Sequence, residues 1–184
     1  MVYPVLSAAP SFEQAIQYTQ SLLEVWATGD CTEADLGQAI TPLVRTANGA
    51  RGFFVTYLTT DEPLADHPPA PLIQALTTAP DTVAELLVKN LVMSTAMAIT
   101  HRRNGDEAAA QGSDRVQRRT RDLIQATEMP AVTTCAEAMR FSAATGEGAY
   151  QDFLDRWGYD AEQRQAMVAI LNQVFGHGCP SLSQ

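Results

Sequence analysis

The sequence predicts an all-α fold, a single-domain bundle of about seven or eight helices around a central apolar helix at about residues 82–101. Three observations predict it. Apolar residues recur at helical spacing along most of the chain. The stretches that carry this pattern open on Ser, Thr, Asp or Pro, the residues that cap or start helices. A length of 184 residues with 46% hydrophobic side chains suits one core and is short for two. The domain is therefore read over 1–184, with a loose lead (1–10) and a loose tail (176–184).

Ser11 and Gln14 form a capping-box pattern, and Phe12, Ala15, Ile16, Thr19, Leu22, Leu23 and Trp26 recur at helical spacing. A first helix runs to about Ala27, and Gly29 stops it. Thr32 and Asp35 open a second, with Leu36, Ile40, Leu43, Val44 and Ala47 on one face and Asn48-Gly49 as its end. Arg51 to Leu58 is ambiguous: Phe53, Phe54, Tyr57 and Leu58 suit a helix, while Phe-Phe-Val-Thr-Tyr also suits a strand. Helix is the preferred reading. Asp61 to Pro71 holds Pro63, Pro68, Pro69 and Pro71 and reads as a surface connection.

Pro71 begins a short helix through Leu76, and Pro80-Asp81-Thr82 with Glu85 opens the longest apolar helix, to about His101. It is apolar round most of its circumference, which places it at the centre of the bundle. Glu85, Lys89, Asn90, Ser94 and Thr95 would be costly in hydrocarbon, so it reads as a core helix and not a membrane span. After Asn104-Gly105-Asp106 comes a helix of Arg and acidic residues to about Thr127. Pro130 starts another, ending near Thr145. Gly146-Glu147-Gly148 separates it from a short segment, Ala149 to Trp157, and Asp160 caps a last helix carrying Met167, Val168, Ile170, Leu171, Val174 and Phe175.

The net charge of −9 argues against broad nucleic-acid binding. Between Thr100 and Asp122, however, six arginines face four acids, leaving that segment at +2 and the remainder at −11. Cys31, Cys135 and Cys179 are odd in number and widely spaced, which suits a reducing, cytoplasmic setting. The N-terminal stretch from Met1 to Glu13 lacks the basic and apolar parts of a signal peptide.

Dinucleotide, P-loop, nucleophile-elbow and H-E-x-x-H patterns are missing from the sequence. Lys89, the one lysine, stands four residues after Glu85 and reads as half of a helical ion pair. His67, His101 and His177 do not cluster in sequence. No catalytic residue, metal site or cofactor is assigned. Asp61, Glu62, Asp66 and His67 suit ordinary turn chemistry better than a metal, and Asp152 with Asp155 suits a solvated helix end.

Two sets of residues remain as candidate sites. Arg115, Arg118 and Arg119 share a helix face that Arg102 and Arg103 could approach across a hairpin, an arrangement suited to an anionic partner. Asp114 and Asp122, four residues before and after Arg118, offer internal pairing instead. Met93, Met97 and His101 lie along one line of the central helix, where methionine adapts to an apolar ligand as readily as to a core.

The run from Arg51 to Asp66, with Phe53-Phe-Val-Thr-Tyr-Leu58, and the run from Glu85 to Asp106 resemble uncharacterised helical proteins of cyanobacteria. The resemblance covers the middle third of the chain and implies a source, with no activity. The expected function is a non-enzymatic binding or adaptor protein acting through the arginine face on a protein or anionic ligand. Alternatives are a small-molecule or cofactor carrier with a cavity beside Met93, Met97 and His101, and an enzyme whose site assembles only in three dimensions. A homodimer is compatible with any of them.

Overall fold

Capping side chains set where the helices begin. The computed structural model describes residues 6–176, and the expected loose ends, with His177 and Cys179, fall wholly or partly outside that range. In α1 (Phe12–Ala27), Ser11 Oγ accepts from the Gln14 amide while the Gln14 side chain accepts from the Ser11 amide. Thr32 with Asp35 does the same for α2 (Glu33–Val44). Asp160 with Gln163 repeats it for α9 (Ala161–Phe175). Each box satisfies two backbone donors that would otherwise be orphaned.

Between these lie α3 (Ala47–Thr59), a 3-10 turn at Pro63–Ala65, α4 (Ala70–Thr77), α5 (Pro80–Arg103), α6 (Glu107–Thr127), α7 (Pro130–Thr145) and α8 (Gln151–Trp157). The described residues thus hold nine α-helices and no strand, an all-α bundle as predicted. The count passes seven or eight because the short segments form helices of their own. Arg51 to Leu58 is helical, its Phe53, Phe54, Tyr57 and Leu58 all buried in α3.

One boundary differs from the sequence reading. Asn48-Gly49 does not end α2; α2 stops at Val44, and both residues belong to the first turn of α3, so Ala47 leaves the α2 face. Thr46 caps the new helix by accepting from the Gly49 amide. A Cβ at Gly49 would lie 2.2 Å from the Leu43 carbonyl oxygen, so the glycine permits a tight corner between two helices.

Helix α5 occupies the centre. Val83, Ala84, Leu87, Val88, Leu91 and Val92 are fully buried, and α3, α4, α6, α7 and α9 pack around it. It is long and apolar enough to cross a membrane by length and composition, and here that apolar surface is spent on five neighbouring helices. One buried cluster runs from Ala15 in α1 to Leu171 in α9. Polar ties fix the register around α5. Gln163, besides capping α9, donates to the Ala96 carbonyl and Thr100 Oγ1, and Gln117 of α6 donates to Thr95 Oγ1 at 2.7 Å.

Candidate functional site

Helices α5 and α6 form an antiparallel pair joined by Asn104 to Asp106, and both candidate sets of residues lie on this pair. The arginines do not gather into one face. Arg102 crosses the hairpin to Asp114, with Glu107 3.5 Å away, while Arg103 turns the other way and meets Asp160 and Glu162 at the start of α9. These partners, Asp160 foremost and then Glu162, hold the Arg103 guanidinium above its ordinary pKa.

Further along α6, Arg115 Nη1 pairs with Asp61 at 2.8 Å and Arg118 Nη2 with Asp66 at 2.8 Å. Arg119 is not on the surface, with a side chain only 2% exposed. Its guanidinium grips Asp66 and also donates to the Leu58 and Thr60 carbonyls. Hydrogen bonds from Arg119, then Arg118, hold the Asp66 carboxyl well below the usual carboxylate range against the opposing effect of desolvation. The helical pairs expected of Asp114 and Asp122 with Arg118 are not made; Asp114 goes to Arg102 and Asp122 sits beside Arg121. Long-range geometry outcompetes i,i+4 spacing because the Pro-rich connection lies directly over this part of α6.

Met93 and Met97 fare differently. They face a cleft of about 270 Å³ between α5 and α6, with Asn90 and Ser94 on the same wall. Ala109, Gly112, Ser113, Arg115 and Val116 form the opposite wall, and Thr59 at the end of α3 closes one side. His101, one turn beyond Met97, is not among the lining residues. The small residues of α6 make the space: a Cβ placed on Gly112 would meet nothing within 4 Å. The polar hydroxyls are already spent, Ser94 on the Asn90 and Leu91 carbonyls and Ser113 on Ala109. What faces the cleft is therefore chiefly thioether, methyl and methylene surface, with one guanidinium at its edge.

The run Ala108-Ala109-Ala110-Gln111-Gly112-Ser113 is the sequence signal for this space, and it is easily missed because Ala and Gly also suit close packing. A second cleft of about 510 Å³ lies between α1 and α3, bordered by Glu24, Glu62 and several threonines. Thr28, Thr56 and Thr59 there donate to carbonyls of their own helices, while Gln20, Glu24 and Glu62 give it a more polar lining than the α5–α6 cleft. Elsewhere, Lys89 pairs with Glu85 as expected and lies over the Tyr150 and Phe153 rings. Asp155 binds Arg164.

A family model described as uncharacterised conserved protein UCP020893 matches residues 11–174. The chain belongs to that family. The match takes in α1 through α8 whole and α9 to its penultimate residue, so both walls of the α5–α6 cleft and the Arg119–Asp66 contact fall inside it. No curated protein and no solved structure matches the chain. The family description carries no activity, which leaves the cleft and the arginine contacts to speak for function.

Proposed function

We propose that the protein is a non-enzymatic binding protein that carries a small, largely apolar molecule in the cleft between α5 and α6. The observation that carries this reading is the cleft that Gly112 leaves open opposite the partly buried Met93 and Met97. Mostly apolar clefts are where small molecules bind, and methionine walls adjust to the shape of what they hold. The arginine region supports it less well as the site, because each of the five arginines already has a carboxylate beside it. Arg102 and Arg118 keep half-exposed side chains, and a role for them in meeting a protein partner is the second reading.

The wider setting is likewise part of the proposal: a soluble protein of a cytoplasm, of cyanobacterial type. Its support is the resemblance of the Arg51–Asp66 and Glu85–Asp106 runs, together with Cys31 and Cys135 serving as free thiols.

Native mass spectrometry of the purified protein and of Gly112→Leu tests the carrier reading. The wild type is expected to retain a small-molecule adduct at one per chain, and the variant, whose new side chain occupies the cleft, to lack it. An adduct of equal mass and occupancy in both proteins would place the ligand elsewhere.

A further inference from the structure

We infer that the molecule held between α5 and α6 is a small apolar carboxylate with Arg115 as its charge partner, an inference that rests on the carrier reading above. Arg115 lines the cleft, whereas Arg119 is buried against Asp66 and two carbonyls and Arg103 is drawn to α9. Its two ends differ. Nη1 meets Asp61, whose side chain is 92% exposed, and Nε is covered with no acceptor among the described residues. A buried donor without an acceptor is unfavourable, and an exposed ion pair is weak and readily exchanged.

A carboxylate is the group that fits the unbonded edge. Its two oxygens match the side-on edge of a guanidinium, so one oxygen takes Nε and the other Nη2, the edge that Asp61 on Nη1 leaves open. A single arginine at the edge suits one negative charge; Arg118 and Arg119, which a phosphate dianion would want, are both engaged by Asp66. The rest of the ligand is chiefly apolar, since the hydroxyls of Ser94 and Ser113 are bonded to their own helix and Asn90 is the one other polar side chain on the α5 wall. From Asn90 to Met97 the wall is about 10 Å long at the rise of an α-helix. The volume of about 270 Å³ is well above the ~150 Å³ cavity that admits benzene. Both dimensions suit a chain of about eight carbons.

Octanoate and octanol, equal in length and different in charge, test this by titration against the full chain labelled with 13C at the methionine methyl groups. Octanoate is expected to move the Met93 and Met97 signals at least about ten-fold more tightly than octanol, and Arg115→Gln to abolish that difference while octanol binding persists. Asp61→Asn, which removes a negative charge beside the same guanidinium, is expected to tighten octanoate about two-fold or more and leave octanol unchanged. Gly112→Leu should abolish both responses. Equal affinity for octanoate and octanol in the wild type would overturn the carboxylate assignment and leave the carrier reading standing. If neither compound moved Met93 or Met97, or if Gly112→Leu bound both as before, the carrier reading and the carboxylate assignment would fall together.

Discussion

Arg119 and Asp66 form a two-armed ion pair, Nε to Oδ1 at 3.0 Å and Nη2 to Oδ2 at 2.7 Å, between α6 and the Pro-rich connection after α3. The remaining terminal nitrogen, Nη1, donates to the carbonyls of Leu58 at 3.0 Å and Thr60 at 2.6 Å. A charged side chain placed in the core is thereby matched on its carboxylate and carbonyl sides, and the connection is held against α6. Removing one member of such a pair costs more than the pair itself contributes, because the other charge stays buried.

Asp66→Ala is accordingly expected to destabilise the protein by about 3 kcal/mol at neutral pH, measured by urea unfolding. The sign of its pH dependence comes from Asp66 having a lower pKa folded than unfolded. Its contribution is fully present above the unfolded value, about 4, and is lost as pH falls towards the folded value. Wild type and variant should therefore converge in stability below about pH 4. A stability gap that stayed constant down to the lowest pH at which the protein folds would contradict the pairing.

Two glycines inside helices should respond in opposite directions. Gly112→Ala adds a methyl to open space and removes the entropic penalty of a mid-helix glycine, for a gain of up to about 1 kcal/mol. At Gly52, where α1 and α3 meet, a Cβ would lie 2.5 Å from the Ala15 Cβ and 2.9 Å from the Phe12 carbonyl oxygen. Gly52→Ala should cost about 2 kcal/mol. Thermal denaturation of the two variants separates a cleft from a close contact.

Two buried tyrosines differ in the same way. Tyr57 donates to the Leu64 carbonyl at 3.0 Å, fastening the 3-10 turn to α3, so Tyr57→Phe should destabilise by about 1 kcal/mol. Tyr159 buries its hydroxyl without a partner among the described residues, and that burial pushes its pKa up to about 12. Tyr159→Phe should be neutral or slightly stabilising. Equal losses for both would show that the Tyr159 hydroxyl has found an acceptor in solution.

Much of the fold is legible because helix starts are local. Ser11 with Gln14, and Thr32 with Asp35, carry their instruction within four residues, and Asp160 marks the start of α9 in the same way. The central place of α5 is equally plain from its apolar circumference. The α2–α3 corner is not, since Asn48-Gly49 reads as a stop and acts as a first turn; only the approach of Gly49 to the Leu43 carbonyl reveals which.

For the candidate site, the spacing that marks Met93 and Met97 also marks His101, which the cleft does not include. Arg119 illustrates a true limit. Its spacing, three residues after Val116 and four before Leu123, is compatible with burial, yet the sequence sets it equally well on the arginine face with Arg115 and Arg118, the expected position. That its partner is Asp66, fifty-three residues earlier, depends on how the connection crosses α6 and is not encoded in any local pattern.

The space beside Gly112 is lined chiefly by apolar surface, and a crystal structure determined under xenon pressure reads directly whether it admits a small apolar guest. Xenon is expected between Met93, Met97 and Gly112 and is expected to be displaced in Gly112→Leu. Xenon absent from that position, or retained there in Gly112→Leu, would contradict an open apolar cleft there.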